Sequence, residues 1–161
     1  MTLDELNRMP ARSAADALKL CCGSRRWAEG VTACRPFLDV ADLHRAADAT
    51  ANTLGREDWL EAFRGHPKIG EMKNISGWSE KEQQGMTSTA DDVRRRLVQL
   101  NREYQDRFGF IFIICAAGKS GEEMLAQLEE RIQNRPEDEM RVASAEQVKI
   151  VHLRLNKMID P

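Results

Sequence analysis

The stretch GHPKIG, at positions 65–70, places a histidine between a glycine and a proline. Because proline disfavours the α conformation in the residue before it, a preceding helix should end at or before His66. The imidazole then lies near a helix C-terminus, whose partial negative charge favours the protonated form. Histidine titrates near neutral pH, so His66 is a candidate for proton transfer. The alternative is a histidine that only caps the helix, and the local sequence leaves both open.

The stretch SEKEQ, at positions 79–83, groups three polar side chains. Ser79, Glu82 and Gln83 have the spacing i, i+3, i+4 and would share one face of a helix. A hydroxyl, a carboxylate and an amide together can hold a small molecule that has several donors and acceptors. However, Ser-x-x-Glu is also the capping-box pattern, in which both side chains bind the backbone. Arg154, between two leucines, could likewise mark only the polar face of a helix.

Several classes of site find no support in the sequence. The three histidines lack metal-site spacing, and no H-E-x-x-H motif is present. The ten glycines form no phosphate-binding loop, and no serine or cysteine occupies a nucleophile elbow. The net charge of −2 gives no general attraction to nucleic acid, and no apolar run is long enough to cross a membrane. We therefore expect no metal, nucleic-acid or membrane partner.

Cysteine usage bears on the compartment. The four cysteines contain no C-x-x-C pair, which predicts reduced, mostly buried thiols. The N-terminal residues include no apolar segment typical of a secretion signal. Free thiols are usual in reducing compartments, so the expected location is the cytoplasm.

The elements that must position these residues are predicted to be helices. A chain of 161 residues with 42% hydrophobic residues suits one domain, residues 1–161. Apolar residues recur at helical spacing through most of it. Thr2, Ser13 and Ser120 are predicted N-caps, and Gly109 is predicted to end the clearest helix. The predicted fold is an all-α, irregular single-domain helix bundle.

The stretch FIFIICAAG, at positions 110–118, is the exception to this helical pattern. Its β-branched and aromatic residues are typical of a strand, but an isolated strand has no partner. We predict a short buried extended segment or the start of a buried helix.

Six stretches, taken in order, are similar to one protein family. They are LNRMP, RPF, GHPKIG, SEKEQ, LNREYQDRFGFIFIICAAG and HLRL. Together they resemble the 2-oxo-4-hydroxy-4-carboxy-5-ureidoimidazoline (OHCU) decarboxylase family over nearly the whole chain. The loop between the histidine and SEKEQ is shorter here than in many members of that family.

The resemblance implies an all-helical homodimer that works without a cofactor. The reaction would be decarboxylation of OHCU to (S)-allantoin, the last step from urate to allantoin in purine breakdown. The resemblance implies His66 as the catalytic residue, and we assign Glu82 as its acid/base partner or as the group that polarises the substrate hydroxyl. The substrate-binding residues would be Pro67, Ser79, Glu82, Gln83, Phe112, Ile113, Ile114, Cys115, Ala116 and Arg154.

Two other functions remain open on the sequence. The chain could be a helical binding or regulatory module without chemistry, because each local motif also has a structural explanation. It could also be a hydrolase of a related ureide, although the sequence offers neither metal ligands nor a nucleophile–base pair.

Overall fold

A computed structural model describes residues 1–69 and 87–159, and the regular structure in these ranges is helical. The helices are α1 (Leu3–Arg8), α2 (Ala11–Lys19), α3 (Arg25–Ala33), α4 (Val40–Ala51), α5 (Arg56–Arg64), α6 (Thr87–Phe108), α7 (Gly121–Arg131) and α8 (Pro136–Met158). No strand occurs within these two ranges, which confirms the all-α prediction. No helix of the described residues is long and apolar enough to cross a membrane.

The chain divides into two compact units. The first comprises Met1–Gly65 together with Ser144–Pro161, and the second comprises His66–Ala143. The helix α8 begins in the second unit and continues into the first. That residues 1–161 form one domain stays a prediction.

In the first unit, α3 packs against α2, α4 and α5. Trp27 on α3 is fully buried, and its indole N–H donates to the carbonyl oxygen of Ala47 at 3.1 Å. A buried indole N–H needs such an acceptor, so this bond fixes how α3 meets α4. The surrounding core is aliphatic and aromatic, and includes Leu6, Leu18, Leu43, Phe63 and Leu155.

Two of the stretches that carry the family resemblance, LNRMP and RPF, meet in the first unit. The side-chain amide of Asn7 donates to the Phe37 carbonyl oxygen at 2.9 Å and accepts the Phe37 N–H at 2.8 Å. The Arg35 guanidinium donates to the carbonyl oxygens of Leu6 and Met9 at 2.6 and 2.8 Å. The Arg35 bonds satisfy carbonyl groups that the end of α1 leaves unpaired, and the Asn7 bonds hold the main chain of Phe37 against α1.

Most predicted caps are confirmed, and one is wrong. The Thr2 and Ser120 side chains accept N–H bonds from Glu5 and Glu123, and each of these glutamates completes a capping box. The prediction for Ser13 fails, because α2 already begins at Ala11, directly after Pro10. Proline lacks the N–H that would be left unpaired at a helix start, and its φ suits the entry to a helix. The helix therefore begins directly after Pro10.

In the second unit, α6 and α7 pack together, and an extended segment joins them. Gly109 ends α6 with φ of +80°, a left-handed conformation that favours glycine. The chain then runs without helix or strand over residues 111–116, and most of these side chains are buried. The predicted buried extended segment is therefore confirmed.

Candidate active site

His66 follows immediately after the end of α5. The helix ends at Arg64 and Gly65 is its C-cap, in agreement with the predicted stop before the proline. His66 is half-buried, whereas Pro67 is exposed.

Three of the candidate residues belong to the stretch SEKEQ. Ser79, Glu82 and Gln83 lie outside the described residues. Their grouping on one face of a helix, and the choice between ligand binding and a capping box, therefore stay predictions.

The extended segment lies in the second unit, as does His66. Phe112, Ile113 and Cys115 are buried, and Ile114 and Ala116 are half-buried. Since neither a helix nor a sheet uses the backbone here, its polar groups must find other partners. The Phe112 N–H donates to the Asn101 side-chain oxygen at 2.9 Å, and the Ile113 carbonyl oxygen accepts from Arg131 Nη1 at 2.8 Å.

Arg131 also stacks over the ring of Phe112, with its guanidinium carbon 4.4 Å from the ring centroid. Its Nε donates to Glu139 Oε1 at 2.7 Å. Arg131 Nη2 lies 2.6 Å from the same oxygen, at ion-pair distance but without hydrogen-bond geometry. Both side chains are buried, so the charge of each is compensated by the other.

Glu139 is the centre of this polar cluster. The Tyr104 hydroxyl donates to its Oε1 at 2.5 Å, and the Asn134 amide donates to its Oε2 at 2.9 Å. Burial, followed by the hydrogen bond to this carboxylate, raises the pKa of Tyr104 well above its ordinary value. The phenol therefore remains a donor at neutral pH.

Sequence reasoning missed the residues that hold the extended segment. One signal was available, because Leu97, Asn101, Tyr104 and Phe108 recur at helical spacing on α6. All four are buried, so Asn101 is a polar residue on an apolar face. The roles of Arg131 and Glu139 had no comparable local signal, because they depend on contacts between α7 and α8.

Arg154 lies in the first unit, on α8. It is half-buried, and its Nη1 donates to the Cys21 carbonyl oxygen at 3.2 Å. This bond supports the structural interpretation of Arg154.

The cysteines are free, as predicted, and three of the four are buried: Cys21, Cys22 and Cys115, with Cys34 exposed. Burial raises the pKa of both Cys21 and Cys22 to about 11, and the nearby charge of Arg154 only partly opposes it. These thiols are protonated at neutral pH and are poor nucleophiles.

A histidine pair in the first unit was also not expected from the sequence. His44 on α4 and His152 on α8 stack with their centroids 4.7 Å apart, and their Nδ1 atoms are in contact. His152 Nε2 lies 2.7 Å from Asp48 Oδ1, and His44 Nε2 lies 2.9 Å from Asn156 Oδ1. Within the described ranges no group of three or more histidine, cysteine, aspartate or glutamate side chains could hold a metal ion.

The helical fold and its buried extended segment agree with the class of protein that the sequence resembles. A family model described as OHCU decarboxylase matches residues 7–156. The chain therefore belongs to the OHCU decarboxylase family.

Known relatives support this assignment. The chain is 37% identical over 152 residues to the uric acid degradation bifunctional protein TTL of Arabidopsis thaliana. This match covers 90% of the chain and 47% of the Arabidopsis protein. It is 30% identical over 158 residues to the 2-oxo-4-hydroxy-4-carboxy-5-ureidoimidazoline decarboxylase of Haloferax volcanii, covering 96% of this chain and 94% of that protein. The chain thus spans less than half of the Arabidopsis protein, and about a third of two bifunctional relatives from Bacillus.

A solved structure is similar over most of its length. The crystal structure of an OHCU decarboxylase in the presence of (S)-allantoin superposes with a TM-score of 0.77 at 37% identity, covering 88% of this chain and 96% of that one.

Proposed function

We propose that this protein decarboxylates OHCU to (S)-allantoin, the last step from urate to allantoin. The observation that carries the proposal is the likeness to the OHCU decarboxylase solved with (S)-allantoin, which extends over 96% of that chain. The family match over residues 7–156 supports it independently of the coordinates.

The chemistry can proceed without a cofactor because the substrate contains its own electron sink. Loss of carbon dioxide leaves an electron pair on carbon, which a ring C=N bond next to the carboxylate-bearing carbon can accept. The protein must then hold the ring, transfer protons and deliver one proton to a single face. Positioned proton transfer typically contributes about 10²–10⁴-fold to the rate.

We assign these tasks to the residues that the resemblance indicates. His66 is the principal proton-transfer residue and Glu82 is its acid/base partner. Arg154 binds a carbonyl or carboxylate through its planar fork. The ureido and ring edges are held by Ser79 and Gln83.

The main chain of the extended segment completes the proposed binding site. Polar groups from Phe112 to Ala116 lie outside any helix or strand. Asn101 binds the Phe112 N–H and Arg131 the Ile113 carbonyl oxygen, while Lys119 donates to the carbonyl oxygens of Cys115 and Ala116. An extended backbone presents N–H and C=O groups alternately, which suits a ring edge with both acceptors and donors.

Circular dichroism during turnover tests the function. OHCU is generated in place from urate with urate oxidase and hydroxyisourate hydrolase, and this protein is then added. Because spontaneous decay gives racemic allantoin, a fast rise of the (S)-allantoin signal is the expected result. An unchanged rate relative to spontaneous decay rules the function out.

The same assay tests the role of His66. His66→Ala should abolish most of the acceleration, because the residue proposed to move the proton is gone. His44→Ala is the matched control, since it removes an imidazole that has no part in the proposed site. A His66→Ala enzyme with the wild-type rate contradicts the assignment.

We also propose a cytoplasmic homodimer. The four free cysteines suit a reducing compartment. Leu20 and Leu38 are 79% and 89% exposed in the first unit, and a second copy could cover them. Light scattering at micromolar concentration should give twice the mass of one chain, and a single-chain mass rules the dimer out.

A further inference from the structure

The extended segment combines two features that rarely occur together. It is buried, with Phe112 and Ile113 among the least exposed residues of the second unit, yet neither a helix nor a strand fixes its backbone. Buried peptide groups that lack a regular ladder can adopt several arrangements unless other groups restrain them. Something other than secondary structure must therefore set the path of this segment.

Two helices supply that restraint through single side chains. Asn101, on α6, accepts the N–H of Phe112, and Arg131, at the last residue of α7, donates to the carbonyl oxygen of Ile113. The Phe112 N–H belongs to the peptide unit of residues 111 and 112, and the Ile113 carbonyl to that of residues 113 and 114, so the two groups flank the Phe112–Ile113 peptide bond. The bonds therefore fix both the position and the rotation of this part of the backbone.

Arg131 is itself held rigidly. Its Nε donates to Glu139, and Glu139 accepts from Tyr104 and Asn134. The Phe112 ring lies against the guanidinium, so the same arginine touches both the backbone and a side chain of the segment. Each side chain of this cluster restricts the rotamers of the next one. The Nη1 group of Arg131 is therefore held towards the Ile113 carbonyl oxygen.

A simple contribution to stability does not account for this arrangement. A buried ion pair is often no more stabilising than apolar residues of the same volume, because both charges lose their hydration. Buried polar networks are better explained when they fix one geometry among several. Here the geometry that is fixed is that of a backbone proposed to bind a ligand.

We propose that Asn101 and Arg131 are positioning residues, which orient the main chain from Phe112 to Ile114 so that its polar groups bind the ring edge of a ureide substrate. This inference rests on the proposed function and deepens it. Binding groups need placement to about 0.5 Å, and unrestrained extended chain does not provide that. Glu139 then acts one step further away, by holding Arg131.

The test compares Arg131→Lys with Arg135→Lys. The lysine at 131 keeps a positive charge near Glu139 but cannot hold both that carboxylate and the Ile113 carbonyl oxygen. Arg135 is the matched control, because it is exposed and makes a surface pair with Asp138. Well below the unfolding temperature, Arg131→Lys should raise KM for OHCU and the Kd of (S)-allantoin about tenfold, with a smaller change in kcat.

Asn101→Ala provides the second variant, in case the lysine variant does not fold. Hydrogen exchange should show the Phe112 N–H protected in the wild type and exposed to exchange in Asn101→Ala. KM should rise about as much as in Arg131→Lys, because the same backbone is released.

The outcomes separate this proposal from the proposed function. A wild-type protein that does not accelerate the reaction overturns the function itself, whatever the variants do. An active wild type whose variants melt earlier, but bind substrate and (S)-allantoin as tightly as before, overturns the positioning role and leaves the function standing. An increase in KM for both variants but not for Arg135→Lys supports it.

Discussion

Glu139 accepts hydrogen bonds from three side chains in the interior of the second unit. A lone buried carboxylate would be costly, so the cluster exists only because Arg131, Tyr104 and Asn134 compensate it together. In the first unit, by contrast, two buried cysteines avoid a buried charge by staying protonated. Burial raises the pKa of Cys21 and Cys22, because the thiolate form would lose its hydration there.

Tyr104→Phe should lower the free energy of unfolding by about 1.5 kcal/mol, because a hydrogen bond to a charged group is lost. The ring and its packing against Phe108, Phe110 and Phe112 are kept. Urea unfolding measures the change. The control is the double variant with Glu139→Gln, in which Tyr104→Phe should cost less because the acceptor is no longer charged. A variant as stable as the wild type contradicts this account of the cluster.

Cys22 makes stability depend on pH above the neutral range. Its folded-state pKa of about 11 exceeds the ordinary value of 9.0, so unfolded chains lose the proton first as pH rises. The neutral thiol therefore favours folding fully below pH 9, and this contribution is lost as pH rises towards 11. Between these values the wild type should lose more stability in urea titrations than Cys22→Ala, which has no thiol at this position. Parallel losses in the two proteins would show that burial does not perturb the thiol.

At the scale of elements, the sequence predicted helix ends best where the residue at the end itself caps or terminates the helix. Ser120 caps α7 and Gly109 ends α6 as expected, because both signals act within four residues. The prediction that Ser13 caps α2 was wrong because Pro10, three residues earlier, is also a signal for a helix start, and the helix begins there. The restraint on the extended segment was out of reach, because Asn101 and Arg131 are 30 positions apart and act through tertiary contacts.

The two serines form a matched pair of variants. Ser120→Ala removes the acceptor for the Glu123 N–H and should cost about 1 kcal/mol of stability. Ser13→Ala should cost nothing or stabilise slightly, because Ser13 is exposed inside α2 and alanine is the better helix former. Thermal or urea unfolding of both variants checks the difference. A larger loss for Ser13→Ala would restore it as a cap and contradict the observed start of α2.

His44 and His152 connect α4 with α8 in the first unit. A double-mutant cycle with His44→Ala and His152→Ala should give a coupling free energy of about 0.5–1.5 kcal/mol, since each removal takes away the same contact. The matched control pairs His44→Ala with Ser13→Ala, which changes an exposed side chain of α2 and should give additive effects. Additivity in both cycles would mean that the histidine pair contributes nothing to stability.

At the scale of the whole molecule, the family and the helical class could be predicted from ordered motifs, because these are spread over nearly the whole chain. The arrangement of the proposed site residues could not be predicted in this way. His66 and the extended segment belong to one unit and Arg154 to the other, and SEKEQ lies outside the described residues. Motifs identify residues one at a time, whereas a site depends on distances between segments that no local pattern encodes.

The prediction that residues 1–161 form one domain can be tested through α8, which supplies residues 136–143 to the second unit and residues 144–158 to the first. A helix is cooperative, so unfolding one unit should remove hydrogen bonds that the other needs. Hydrogen exchange in increasing urea should then give one midpoint for peptides from α3 and α6. Tyr104→Phe, a change confined to the second unit, should lower that midpoint for both peptides equally. If only the α6 peptides shift, the two units unfold separately and the chain has two domains.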